Sequence, residues 1–325
     1  MIPRPPLALL ACASLLLAGA AGCKARAGGR PDGGAPGDGG NDGGSPPARC
    51  EQWGAPALLG TLDVSAGLAE LSGLAVSATD PDLLWVHNDS GDAAQLYALS
   101  RSGALRATFL LEGVVATDWE DLARGPCPPG LPAGDCLFVG DIGDNLAARA
   151  SLELHVLPEP VVTAGGDPRS PRPLTATSLT LSYGDGARDA EALFVEGGRP
   201  FLVTKGREGP PAVYAVEGEL LDGASRTLRR LFTFADDDLE PASPWVTAAD
   251  LHAASSRLLL RGYDSLHELD LGGALSAATL GSAAIRPVPA ATEPQGEAVA
   301  WEPGGEGYLT LSEQVGELHR VACAD

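Results

Sequence analysis

The sequence is poor in aromatic residues, which make up 5% of its 325 positions, and it holds a single methionine. Its core must therefore be filled by Leu, Val and Ala. Basic residues are scarce as well: 22 Lys and Arg stand against 43 Asp and Glu, a formal charge of −21. So acidic a surface argues against nucleic acid and anionic lipid headgroups, and suits a cation ligand or a basic partner. Past the N-terminus no apolar run is long enough for a transmembrane helix. Helical periodicity is nearly absent. There is no Cys-x-x-Cys spacing, which argues against a structural zinc. Also missing are a Gly-x-Ser-x-Gly elbow, a His-Glu-x-x-His pair and a phosphate-binding glycine loop. His267-Glu268 lacks the second histidine.

What is present begins with a leader. Arg4 supplies a positive charge, Leu7 to Ala21 an apolar run, and Ala20-Ala21-Gly22-Cys23 small residues before a cysteine. The pattern resembles a bacterial lipoprotein signal, residues 1–22, with Cys23 as the lipidated N-terminus. An ordinary secretory signal is the alternative, and either way the chain is exported. The expected location is the cell envelope, as an outer-membrane lipoprotein facing periplasm or surface. Residues 23–48 are Gly, Pro, Asp and Ser, a composition that cannot offset its ordering entropy and reads as a disordered tether. Residues 49–325 form the folded domain.

That domain carries a three-part unit that recurs five times. Its first parts are Glu70-Leu71-Ser72-Gly73-Leu74, Asp118-Trp119-Glu120-Asp121-Leu122, Asp189-Ala190-Glu191-Ala192-Leu193, Thr247-Ala248-Ala249-Asp250-Leu251 and Gln295-Gly296-Glu297-Ala298-Val299. The second parts are apolar runs ending near Asn88, Asp141, Lys205, Arg261 and Ser312. The third parts align Tyr97, His155, Tyr214, His267 and His319, which read as packing residues with a polar tip. Short strands in even repeats predict an all-β, closed β-propeller, with five units counted and a sixth, degenerate blade left open. One blade cannot bury both faces, so neighbours must stack into a ring. The leading run from Ala57 is free to supply the outer strand of the last unit.

Cysteine use fits the same ring. Cys127 and Cys136 bracket a Pro/Gly-rich loop, and Cys50 and Cys323 mark the two ends of the domain. Propellers close by bringing chain ends together, so the expected bridges are Cys50–Cys323 and Cys127–Cys136 in an oxidising compartment.

The innermost strand of each unit lines the channel. Residues two apart share a strand face, so Glu70/Ser72, Asp118/Glu120, Asp189/Glu191, Thr247/Ala249 and Gln295/Glu297 are aimed at its mouth. Loops after the second strands bring His87, Asn88, Asp89, Asp141, Asp144, Asn145, Lys205, Arg261, Asp264 and Glu313 to the same rim. Converging carboxylates repel unless neutralised, and a hard cation held by oxygens, calcium above all, answers that. Glu120, Asp189, Glu191 and Glu297 are the expected metal ligands. Glu70, His87, Asn88, Asp118, Asp141, Lys205, Asp250 and Arg261 are candidate ligand-binding residues. A solvated channel with internal ion pairs, such as Glu191 with Lys205, is the bland alternative.

Asp189-Ala190-Glu191-Ala192-Leu193 resembles the Asp-x-Glu-Gly-Leu steps of calcium-dependent β-propeller phytases and esterase-like phytase relatives. Asp118-Trp119-Glu120-Asp121-Leu122 with Asp141-Ile142-Gly143-Asp144-Asn145 resembles uncharacterised bacterial exported propellers. The first resemblance implies that Glu120, Asp189, Glu191 and Glu297 hold calcium and that Lys205 and Arg261 receive phosphate. Two functions are thus expected to compete. One is a lipid-anchored, monomeric module presenting an acidic face to a small molecule or protein. The other is a calcium-dependent hydrolase of a phosphoester or lactone.

Overall fold

The computed structural model describes residues 49–62, 67, 68, 70–239 and 245–324. The leader, Cys23 and the tether lie outside the described residues.

Each repeat unit becomes one antiparallel sheet. Strand β1 (Ala57–Thr61) precedes the first of them. Blade one is β2 (Leu71–Val76), β3 (Leu83–Asn88), β4 (Gln95–Ser100) and β5 (Leu105–Leu111). Blade two holds β6 (Trp119–Pro126), β7 (Asp135–Asp141) and β8 (Leu152–Pro158). Next come β9 (Arg172–Leu174) and the outer strand of blade two, β10 (Thr177–Tyr183). Blade three is β11 (Ala190–Glu196), β12 (Arg199–Thr204), β13 (Ala212–Val216) and β14 (Ser225–Thr233). Blade four is β15 (Val246–His252), β16 (Arg257–Gly262), β17 (Leu266–Asp270) and, after the short helix α1 (Ala277–Gly281), β18 (Ala284–Pro287). Blade five is β19 (Gly296–Trp301), β20 (Gly307–Ser312) and β21 (Glu317–Ala322), completed by β1.

β1 pairs antiparallel with β21, so the leading strand closes the ring by hydrogen bonds. The five innermost strands, β2, β6, β11, β15 and β19, adjoin one another in turn, and β19 returns to β2. The chain ends are locked beside this closure: Gly54 N donates to Ala322 O at 2.8 Å. Cys50 and Cys323 are bridged across 5.5 Å between Cα atoms, and Cys127 and Cys136 across 4.8 Å. Both pairings are the expected ones.

Local chemistry explains the strand boundaries. β11 and β12 meet at a two-residue turn, Gly197-Gly198, with φ of 58° and 79°. Only glycine adopts both without strain, and the turn's twist matches that of the strands it joins. Inner strands such as β2 and β19 are buried along their whole length, so they read as apolar runs with polar residues only where the channel needs them. Between blades three and four the layer is built from side chains such as Phe194, Phe201, Leu251 and Leu260.

Two features depart from the repeat. The proline-rich insertion after β8 sends β9 across to blade one, where it pairs parallel to β5 as a fifth strand. β10 then returns to β8 and also pairs parallel with β14, joining the outer edges of blades two and three. Both cover sheet edges that would otherwise expose unpaired backbone groups.

Candidate functional site

Every innermost strand carries a register shift at its mouth end, between Leu71/Leu74, Trp119/Asp121, Ala190/Ala192, Val246/Ala248 and Gly296/Ala298. The extra residues are Ser72 with Gly73, Glu120, Glu191, Thr247 and Glu297. A β-bulge re-aims the side chain it inserts. Strand alternation is therefore not what points these residues at the axis: the repeated bulge does. It also lets two adjacent residues, Glu120 and Asp121, both enter the channel region, where both are buried.

One oxygen from each of Asp89, Asp118 and Glu120 lies within 4.8 Å of the other two. Glu120 is 5% exposed, and among the described residues no hydrogen bond reaches its carboxylate. Burial lifts its pKa well above the usual carboxylate range, and Glu191, Asp89 and Asp118 lift it further. Burial likewise pushes Asp89 up to about 7, with Asp118, Glu313 and Glu70 adding to the rise. Asp118 is raised for the same first reason, against the pull of Arg149.

The field extends round the axis. Glu70, Asp89, Asp118, Asp189, Glu191, Glu297 and Glu313 form a circuit in which each carboxylate feels the next. Blade four breaks the acidic pattern with Thr247, whose hydroxyl donates to Gly296 O at 2.9 Å. Lys205 is the sole lysine after Lys24, and its ammonium is 3% exposed inside this circuit. It is paired with Glu191 and donates to the Tyr263 hydroxyl at 2.8 Å. Burial works against its charge, yet Glu191 and Tyr263 hold it above the ordinary lysine value.

Of the expected metal ligands, only Glu120 joins the three-carboxylate group. Glu191 is occupied by Lys205. Glu297 accepts from Gln295 Nε2 at 2.7 Å, and burial pushes it up to about 8. Asp189 accepts from Asp144 N at 2.9 Å and faces Arg207 at 3.4 Å.

The other candidates divide. Asp118 is in the group, and Glu70 is an exposed rim residue whose backbone carbonyl accepts from Asp89 N at 2.7 Å. Asp141 is a brace: it accepts from Thr117 N at 2.8 Å, Asp118 N at 3.2 Å and Arg149 Nη2 at 2.7 Å. Asn88 ties Gly67 O and Asp92 together. His87 is not on an open rim. It is fully buried, with Gly73 above it and Trp119 at 5.3 Å, and burial lowers its pKa to about 4, so it is neutral. Arg261 is 1% exposed and paired with Glu293, which also accepts from Thr310 Oγ1 at 2.9 Å. Asp250 serves as an interblade tie, accepting from Trp301 N at 2.7 Å. The Tyr/His column packs with a polar tip: His155 pairs with Ser178 Oγ at 2.8 Å and Tyr214 donates to Asp185 at 3.0 Å.

Below the mouth the axis is held by another carboxylate. Asp121 accepts from Leu122 N at 2.8 Å, Leu193 N at 2.8 Å and Ala249 N at 3.1 Å, so one side chain staples blades two, three and four. Burial pushes its pKa up to about 8, against the pull of these three donors.

Sequence reasoning missed Gly143 and Arg149. A Cβ at Gly143 would lie 2.0 Å from Glu120 Oε1 and 2.5 Å from Asp118 Oδ2. The close approach of both carboxylates to this backbone thus depends on glycine. Arg149 holds that loop, donating to Gly143 O at 2.7 Å while it binds Asp141. The Gly143 signal was within reach, in the Ile142-Gly143-Asp144 step beside Asp141.

No family model matches the chain, and no curated protein matches it. Among solved structures, the Pan2 WD40 domain of Neurospora crassa is similar with a TM-score of 0.39 and 9% identity, covering 83% of this chain and 96% of that one. A chain of a nidogen/laminin complex is similar with a TM-score of 0.40 and 16% identity, covering 75% and 73%. The propeller assignment stands on the five blades and their closure.

Proposed function

We propose that the chain is an exported, lipid-anchored binding module whose channel mouth holds a divalent cation, calcium being the ion its donors suit. The carrying observation is the Asp89, Asp118 and Glu120 group, with Glu120 buried and, among the described residues, without a hydrogen bond to its carboxylate. The donor set is all carboxylate oxygen, the chemistry of a hard cation, and the missing side chain of Gly143 lets two of the three carboxylates pack against one backbone position. Calcium there would supply positive charge to a circuit of like charges. Three carboxylates fall short of the roughly six to eight oxygens calcium takes, which leaves positions for water or for the oxygens of a ligand. The chain's own part is to hold the donors: Asp141 fixes the backbone at Asp118, and Arg149 fixes Gly143.

Hydrolysis of a phosphoester or lactone is the weaker reading. It needs a cationic group able to meet an anionic substrate at the channel mouth; Lys205 is paired with Glu191, and Arg261, paired with Glu293 through Nη2, is 1% exposed. Export is supported by the two disulfides, which belong to an oxidising compartment. The lipid at Cys23 and the outer membrane are proposals from the leader.

Thermal unfolding of chelator-stripped protein, titrated with calcium to millimolar levels, tests the site. The expected gain follows RT ln(1 + [L]/Kd), about 2.7 kcal/mol at a hundredfold excess over Kd. Glu120→Gln should remove the gain. An unchanged melting temperature across the titration would leave a wet channel and end the cation reading.

A further inference from the structure

The remaining basic residues are not scattered evenly. Three arginines face one cavity of about 260 Å³, between the N-terminal segment and blade four. They are Arg49, Arg257 and Arg286, and Glu51, Glu268 and Asp270 share the lining. Arg257 opens β16 at the end opposite Gly262 and the channel mouth.

Arg257 is the unusual member. It is 1% exposed and sits with its guanidinium carbon 4.5 Å from the Trp301 ring centroid and 5.9 Å from that of Trp53. Its Nε donates to Ser255 Oγ at 2.8 Å and its Nη2 to Gly305 O at 2.8 Å. Its Nη1 has no hydrogen bond and faces Glu268 across 4.0 Å. A buried, charged N–H without an acceptor is costly. Glu268 cannot close that gap freely, because it accepts from Trp53 Nε1 at 2.8 Å and from Arg286 Nη2 at 3.1 Å. Arg286 in turn donates to Cys50 O at 2.7 Å. Arg49 pairs with Asp270 but its side chain is 61% exposed, so it can turn toward a guest.

We infer that this cavity is a small-oxyanion site: phosphate, sulfate or a carboxylate accepts from Arg257 Nη1, with Arg49 and Arg286 completing the donor set. Guanidinium forks suit planar or tetrahedral oxyanions and discriminate against a spherical halide. A water occupies about 30 Å³ of liquid volume, so the space admits an anion with its waters. The anion joins the N-terminal segment to blade four, beside the Cys50–Cys323 bridge. The site uses none of the channel-mouth residues, so it stands or falls without calcium.

Calorimetric titration of the full chain with sodium phosphate, sulfate and acetate, against chloride at equal ionic strength, tests it. One saturable site for at least one oxyanion and none for chloride is expected. Arg49→Gln should weaken binding at least threefold, and Arg257→Lys at least tenfold, provided its melting curve shows a folded protein. If Arg257→Lys does not fold, Arg49→Gln and Arg286→Gln carry the test. No saturable heat from any of the three oxyanions overturns the proposal, leaving a cavity that holds only water. So does binding that is unchanged in the Arg49 and Arg286 variants. The preferred oxyanion separates an inorganic source from a carboxylate-bearing one.

Discussion

Glu120 and Asp121 are neighbours in sequence, both buried carboxylates on β6, both raised above the usual range by burial. Their fates are opposite. Asp121 receives three backbone N–H groups from three blades and becomes a staple. Glu120 receives none among the described residues and meets Asp89, Asp118 and Glu191 instead. The difference lies in what the neighbouring blades present. Below the bulge they offer backbone donors; at the mouth they offer like charge. Burial and charge alone therefore do not mark a functional carboxylate. A buried carboxylate without donors, grouped with other carboxylates, is the better candidate.

The comparison breaks first at the staple. Asp121→Ala leaves the Leu193 and Ala249 N–H groups without their acceptor, at roughly 1–3 kcal/mol for each unsatisfied buried donor. Urea unfolding should show about 4 kcal/mol lost, with any calcium gain retained in the folded fraction. A variant within 1 kcal/mol or so of the parent would mean the blades do not depend on this residue.

Gly143→Ala tests the close packing of two carboxylates against this glycine. Its methyl would press on Glu120 and Asp118, an overpacking cost of about 1–3 kcal/mol. It should also remove the calcium response. A full response in this variant would place the cation elsewhere on the circuit.

The pH dependence sharpens the contrast without mutation. Folded values of about 7 for Asp89 and about 8 for Glu297 exceed those of an unfolded chain. The folded state then binds more protons, so stability is complete below about pH 4 to 5 as far as these groups go. It is lost as pH rises through about 7 to 8. Metal-free melting temperature should fall from pH 5 to 8.5, and calcium should flatten the fall. A flat metal-free profile would show that the carboxylates do not repel.

The smallest effect is expected at Ser72, whose hydroxyl donates to Glu120 O across blades one and two. Ser72→Ala should cost about 1 kcal/mol and leave the calcium midpoint unchanged. A shifted midpoint would make Ser72 part of the donor group's positioning.

The ring, its five blades and its closure by β1 were legible because each rests on local pattern: apolar alternation, turn residues and a leading strand without a partner. The cysteine pairs followed from closure. The acidic mouth was legible as a set of positions, yet its grouping was not. The repeated Asp/Glu steps singled out Glu120, Asp189, Glu191 and Glu297 alike, and only Glu120 stands with Asp89 and Asp118. Arg261 read as an anion receptor because Glu293, 32 positions later, carries no repeat signature that marks it as the partner. His87 read as a rim residue because nothing in a strand pattern shows Gly73 and Trp119 enclosing it.

By itself the sequence determined what short-range forces determine: which runs are strands, where they turn, that the units must stack, and that one end of the ring gathers carboxylates. Tertiary structure alone decided the destination of each charge. A strand's period fixes the face a residue lies on, but a bulge overrides that period, and neighbouring blades supply or withhold the donors. That is why Asp121 became a staple, Lys205 a buried counter-ion, β9 a strand of another blade, and Asp89 with Asp118 and Glu120 the candidate cation site.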